Sequence, residues 1–493
     1  MTTHRLSKHK TTLVILFSLL FVAAALRFYR LNEGLWLDEI ITDVNYAHLS
    51  FLTNITTFDS ENQHFLYSLL AHLSFLVFGE SNWALRLPAV LFGIASLAAL
   101  FLLGRELSND TEALLAVALL TFSYHHVWFS QNARGYTGLL FWTILSSWLF
   151  LRGLKDHRRR TWLFFAISGA LGVYTHLTML FVIIGYFLIY LFIMLFRRPN
   201  HEPGSWTDLW IGFGVTGLLC LILFEPVIPQ ILATIGGSEQ SVVTAWKNPL
   251  WTVLEIVKGL ELGFLGDSIA ILAMAVFLVG VSSYARSQPV LLGLFIIPSV
   301  IGAGTTIAIG HHLWPRFFFF GIGFAALILV RGVMQISQLI TRLWLKLRTK
   351  QKSLQVSQGN FMLGIVLCFT LIIASSLSVP RAYGPKQDYL GAYNFITNNQ
   401  LPGDEVVTVS LTTFIYQNYY PTNWIEVSSS DGLNAIRREA KRTWLIYTFP
   451  SVLASTHPDI MKSIQADFGL VKQFGSTVDE GDIYIYRVDN AIQ

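Results

Sequence analysis

The chain has 493 residues, 53 % of them hydrophobic and 13 % charged, with a formal net charge of +4 and a mean hydropathy of +0.53. Soluble domains carry about 25 % charged residues, so the composition excludes an ordinary soluble enzyme. Long apolar runs recur from Thr12 to Pro380, which makes the chain a polytopic α-helical membrane protein.

A basic stretch (His4, Arg5, Lys8, His9, Lys10) precedes the first run. This run reads as a retained span rather than a signal peptide. Eleven spans are predicted, at 12–28, 84–104, 113–130, 137–153, 161–176, 178–196, 208–225, 268–284, 289–309, 314–331 and 361–379. The apolar run 64–79 is near the lower length limit for crossing, and charge decides its fate. If it lies in the interface and the amino terminus is cytoplasmic, 18 Lys and Arg fall on the cytoplasmic side. Only 6 fall opposite: Arg30, Arg86, Arg134, Lys247, Lys258 and Arg316. A crossing would reverse the positive-inside bias. Residues 1–379 therefore form a transmembrane domain whose first extracytoplasmic loop is 29–83. Within it, 332–358 reads as a basic amphipathic stretch on the cytoplasmic surface. Cys220 and Cys368 lie inside apolar runs and read as packing residues, not a disulfide.

After Pro380 the chain turns polar. Strand-like runs at 406–410, 443–449 and 482–488 alternate with helical ones at 388–399, 433–442 and 458–468. Residues 380–493 are predicted to form a small extracytoplasmic α/β domain.

The chemistry-bearing residues sit where spans meet the outer surface, not at mid-membrane, where a transporter would hold its ionisable groups. Loop one carries Asp38, Glu39, Glu61 and His64; Arg134 and Tyr136 follow the third span; His176 follows the fifth; His311, His312 and Arg316 flank the turn between the ninth and tenth. Neighbours on a helix point about 100° apart, so Asp38 and Glu39 cannot serve one atom: one is suited to act as a base and the other to orient a partner. The competing account is two acids favouring a helix amino-terminal turn. Arg134 and Arg316 suit a phosphate; a lone arginine at a span end otherwise snorkels to headgroups. The histidines lack zinc-ligand spacing and read as hydrogen-bonded structure.

Six pieces in order carry a resemblance: Trp36-Leu37-Asp38-Glu39, Phe78-Gly79-Glu80-Ser81, Ala84-Leu85-Arg86-Leu87-Pro88, Gln131-Asn132-Ala133-Arg134-Gly135-Tyr136, Tyr174-Thr175-His176 and Pro315-Arg316-Phe317. Together they resemble the GT-C-fold integral-membrane glycosyltransferases, in particular the group of dolichyl-phosphate-mannose protein mannosyltransferases and bacterial aminoarabinose transferases (family thirty-nine). One piece departs: Gln63-His64-Phe65-Leu66-Tyr67 stands where the family has a His-Pro-Pro-Leu-Tyr-like segment. The resemblance implies inverting transfer of a sugar from a polyprenyl-phosphate donor to an acceptor hydroxyl on the extracytoplasmic face. Asp38 would be the general base, with Glu39 grouped as catalytic and positioning the loop or acceptor. Arg134, Arg316 and Tyr136 would bind the donor phosphate, and Glu61, His64 and His176 would line the substrate pocket. No cofactor is required by this resemblance; a divalent cation stays open. The partners it implies are the lipid donor, a lipid, glycan or protein acceptor, and the membrane, with no nucleic acid. By analogy the location is a bacterial inner membrane. The competing functions are a flippase or transporter of lipid-linked saccharides, and a membrane-anchored binding protein.

Overall fold

The computed structural model describes residues 2–196, 205–237, 243–264, 266–348 and 353–490. All eleven predicted segments are helical. Among the described residues, nine helices are long and apolar enough to cross a membrane. The other two segments differ in kind: Arg159–Thr175 has 17 residues, and 113–130 is a broken pair, Asp110–Thr121 and Tyr124–Ser130, bent by 64°. A break inside an apolar bundle strands carbonyls that water cannot reach. Here buried Arg27 supplies the donors, at 3.3 Å from the Leu120 oxygen and 3.5 Å from that of Thr121, with Nη2 2.7 Å from His126 Nδ1.

The apolar run before the second span is the helix Phe65–Phe78, whose 14 residues extend about 21 Å at 1.5 Å per residue, short of a hydrocarbon core of about 30 Å. The expected surface stretch at 332–358 is not a separate element. The helix Ile322–Arg348 runs unbroken through its first half, because no proline and only one glycine interrupts those residues. Arg197, Arg198, Lys350 and Lys352, counted above among the cytoplasmic basic residues, lie outside the described residues.

The carboxyl-terminal segment holds one five-stranded mixed sheet: β1 (Asp404–Val409), β2 (Ile425–Val427), β3 (Arg442–Thr448), β4 (Gly469–Phe474) and β5 (Ile483–Asp489), in the order β2-β1-β3-β5-β4. β1 is parallel to β2 and β3, while β5 is antiparallel to β3 and β4. The three predicted strands are β1, β3 and β5. β2 is too short to show a period, and β4 is an exposed edge with no apolar alternation. The sheet does not stand apart from the helices. One apolar cluster joins Trp36, Leu37, Tyr67, Leu85 and Ala133 to Tyr389, Ile415, Trp444 and Ile485. The sheet therefore covers the same end of the bundle as loop one.

Two spans approach to backbone contact. A Cβ on Gly280 would lie 2.0 Å from the Ile328 carbonyl oxygen, and one on Gly332 would lie 2.1 Å from that of Val276. Small residues at membrane helix crossings permit this approach. Gly332→Val therefore forces the helices Asp267–Ser287 and Ile322–Arg348 apart. It is expected to cost about 1–3 kcal/mol, read as a lower thermal midpoint in detergent, whereas Gly217→Ala, whose Cβ meets nothing within 4 Å, is expected to leave the midpoint close to wild type.

Candidate active site

The site begins with the helix Leu37–Thr42, whose first turn carries both acids. Its start is set by Glu39, which folds back to accept from the Trp36 amide at 3.4 Å. Glu39 is fully buried. Its Oε2 accepts from Arg86 Nη2 at 2.6 Å, and its Oε1 accepts from Arg86 Nε and from the Ala133 amide, both at 2.7 Å. Burial by itself would raise the Glu39 pKa; Arg86, Lys386 and these hydrogen bonds hold it below the usual carboxylate range. Glu39 thus ties loop one to the helix Asn82–Leu107 and to the loop after Ser130.

That second loop is held residue by residue. The Gln131 amide donates to the carbonyls of Arg27 (3.0 Å) and Tyr29 (2.6 Å), and its own carbonyl accepts from Lys386 Nζ at 2.7 Å. Asn132 Oδ1 accepts from Trp36 Nε1 at 3.1 Å. Arg134 Nη1 donates to the Asn62 carbonyl at 2.7 Å and to the Asn62 side chain. Gly135 is required by space: a Cβ there would meet the Thr175 carbonyl at 2.6 Å and the His64 ring at 3.2 Å.

Asp38 points away from its neighbour, as helical geometry demands, and receives both predicted guanidiniums. Its Oδ2 accepts from Arg316 Nη1 at 3.1 Å and lies 3.9 Å from Arg134 Nη2. Asn62 Nδ2 donates to the Asp38 carbonyl at 3.2 Å, and Arg316 lies 4.9 Å from the Trp314 ring centre. Beside Asp38 opens a cavity of about 900 Å³. Its deep part runs between helices past Phe295, Ser299, Ile322 and Ala325; its other part lies under the sheet, against Leu411, Phe449 and Glu480.

Asp38, Tyr136 and Arg316 line this cavity, and the other expected site residues do not. Glu39 faces the opposite way and is a clamp, because its oxygens are consumed by Arg86 and the backbone. Arg134 is 3 % exposed and reaches Asp38 from behind the wall. His64 and His176 stack at 4.5 Å behind Tyr136 and wedge the Gly135 turn. Burial and the charges of Arg134, His176 and Arg316 push the His64 pKa well below its ordinary value, so His64 is neutral. Glu61 pairs with His311 at 3.0 Å and joins loop one to the turn that bears Arg316. Among the described residues no group of three or more His, Cys, Asp or Glu side chains is placed to hold a metal ion.

Sequence reasoning passed over the residues that aim the site. Arg86 stood in a quoted motif but was counted only as a charge. Asn62, Lys386 and Gln387 carried no signal. Gln387 accepts from the Leu37 amide at 3.1 Å and donates to Thr448 Oγ1 and the Gly481 carbonyl, pinning the Asp38 helix to the sheet. Burial pushes the Lys386 ammonium down to about 7, against the pull of Glu39.

Two measurements check this reading. Arg86→Met strands a buried carboxylate and is expected to cost about 3–5 kcal/mol, whereas Glu39→Leu with Arg86→Met regains much of it. The hydrogen bond that the Glu61 carboxylate accepts from His311 raises the His311 pKa above its ordinary value. The stabilisation it supplies is therefore complete below the ordinary histidine value and lost as pH rises through the raised one. Glu61→Gln is expected to lower the thermal midpoint at about pH 6 and to leave it nearly unchanged at about pH 9. Lys247, His312 and Arg316 are the other charged or titratable groups near this turn.

A family model described as dolichyl-phosphate-mannose-protein mannosyltransferase matches residues 62–229. No curated protein sequence matches the chain. Among solved structures, ArnT from Cupriavidus metallidurans in the apo state superposes with a TM-score of 0.54 at 12 % identity, covering 97 % of this chain and 98 % of that one. The apo oligosaccharyltransferase of Archaeoglobus fulgidus superposes with a TM-score of 0.51 at 11 % identity, covering 94 % and 73 %. These likenesses extend over loop one, the bundle and the carboxyl-terminal sheet alike. The chain is an integral-membrane protein with the GT-C fold, and its residues 62–229 match the mannosyltransferase family model.

Proposed function

We propose that the protein transfers a sugar, with inversion, from a polyprenyl-phosphate donor to an acceptor hydroxyl on the extracytoplasmic face of the membrane. The observation that carries this reading is the meeting of Asp38, Arg316 and Arg134 at the wall of one cavity that continues between the helices. The name of the matching family, with its dolichyl-phosphate-mannose donor, agrees with it. The positive-inside bias puts this end of the bundle outside, where nucleotide sugars are absent and an activated sugar has to arrive on lipid.

The deep apolar part of the cavity suits an isoprenoid chain, which leaves the phosphate at the level of Arg316. In the free protein Arg316 is engaged by Asp38. A phosphate competes for the guanidinium and frees the carboxylate to face the acceptor. Asp38 then takes the hydroxyl proton as the acceptor oxygen bonds to the anomeric carbon from the face opposite the phosphate. The bond from that carbon to the phosphate oxygen breaks, and polyprenyl phosphate leaves with the electron pair. Arg316 stabilises the charge that grows on it. Arg134, buried behind Asp38 and tied to Asn62, is a positioning residue for the carboxylate rather than the main phosphate ligand. No resident cofactor takes part in this scheme.

Asp38→Asn is expected to lower transfer by about 10²- to 10⁴-fold while the purified protein keeps its thermal midpoint; unchanged turnover removes the base. Arg316→Lys is expected to raise KM for the lipid donor about tenfold, whereas Arg134→Lys chiefly lowers kcat. Both are read with the polyprenyl-phosphate sugar that accumulates in membranes lacking the protein.

A further inference from the structure

The sheet meets the cavity at a particular edge. β1 runs parallel to both of its neighbours, β2 on one side and β3 on the other, so the chain reverses its direction of winding between β1 and β3. In open α/β sheets ligands bind outside the carboxyl ends of the strands at such a switch point. Here that edge is the cavity wall: Leu411 follows β1, Phe449 follows β3, and Asp479 and Glu480 precede the antiparallel β5 at the same end. Ser410, Phe449 and Glu480 all have positive φ (57°, 50° and 54°) although none is glycine. Backbone of this kind persists where the fold over-determines it, commonly at ligand sites.

Opposite this edge stand three tryptophans. Trp246 and Trp251 lie 4.8 Å and 5.5 Å from Trp314, centre to centre, and all three line the cavity next to Arg316. The helix Pro249–Phe264, which carries Trp251 and Glu255, faces the sheet edge closely enough for Lys258 to feel the charge of Asp479. In the wall between the two sides is Asn132, 1 % exposed, whose Nδ2 is a buried donor with no partner.

We infer that this half of the cavity, between the switch-point edge of the sheet and the tryptophan wall, is the acceptor subsite, and that the acceptor is a saccharide of low negative charge. The inference rests on the proposed transfer for the word acceptor, but not for the existence of the site. Flat aromatic faces match the apolar C–H faces of sugar rings. Carboxylates accept hydrogen bonds and donate none when ionised; Glu255 is held by Lys258 and Glu480 accepts from Ser451 at 2.8 Å, so Asp479 and the remaining carboxylate oxygens call for a ligand that brings several donors. Lys258 pairs with Glu255, while Asp479 and Glu480 give the sheet side of the cavity a negative charge that disfavours a phosphorylated or acidic acceptor there. A peptide also brings donors, in its backbone N–H groups, so it is the tryptophan faces that favour a saccharide over a peptide.

The test is binding without turnover. Full-length protein in nanodiscs is applied to an array of immobilised neutral oligosaccharides, phosphorylated oligosaccharides and serine- or threonine-bearing peptides. The wild type is expected to retain neutral oligosaccharides. Asp479→Asn with Glu480→Gln, and separately Trp251→Leu, are expected to weaken that retention at least tenfold. Val452→Trp, at the same sheet edge, blocks the subsite by filling it, so a fold defect in the deletion variants does not decide the outcome. Retention of peptides alone, retention of no saccharide, or saccharide binding that all these variants leave unchanged overturns the inference. Asp38→Asn is run in parallel: saccharide binding that survives while transfer is also unaffected overturns the proposed chemistry and leaves the subsite standing.

Discussion

Glu39 is fully buried, and its two oxygens are shared among Arg86, the Ala133 amide and the Trp36 amide. A carboxylate taken out of water is tolerated only when such partners compensate it, and each partner here belongs to a different piece of chain. Arg86 extends the contact further, donating to the carbonyls of Leu31, Glu33 and Gly34. One ion pair therefore fixes the entry to loop one, the helix that bears Asp38 and the loop that bears Arg134. The position of Asp38 follows from its neighbour's burial.

The division between adjacent acids is a consequence of the helix. A turn of 100° per residue sends Glu39 into the protein when Asp38 faces the cavity, so one residue is spent on architecture and the other stays on the cavity wall. Arg134 and Arg316 divide in a similar way. Arg316 stands on the cavity wall over Trp314, while Arg134 is locked to Asn62 behind the carboxylate. Arg316 pairs with Asp38, and in the proposed transfer a phosphate competes for that guanidinium.

Around this centre several buried polar atoms lack partners, among them Nε2 of His64 and of His176, and Nε of Arg134 and Arg316. Such atoms cost free energy in a folded protein. The sheet is tied to the same centre: Gln387 and Lys386 bridge it to loop one and to the Gln131 loop, so the extramembrane segment is part of the cavity and not an appendage.

Much of the architecture was legible because it is governed by local composition. Runs of apolar residues at the length of a bilayer have one stable form, and all eleven segments are helices. The adjacency of Asp38 and Glu39 already forbade a shared role, which the structure shows in their opposite orientations. Partner choice was not legible. Whether Arg134 or Arg316 faces the cavity, why Glu61 meets His311, and what Arg86 and Gln387 hold are set by contacts between residues as many as 350 positions apart. Sequence spacing carries no information about those contacts. The break at Thr121 was hidden for a related reason: the donor that makes it affordable is Arg27, on another helix. By itself the sequence determined the membrane class and the helices, because hydrophobic burial and helix geometry act locally. Only the tertiary structure decided which charged groups face the cavity, because a buried charge goes where its partners are, and in this chain those partners come from distant segments.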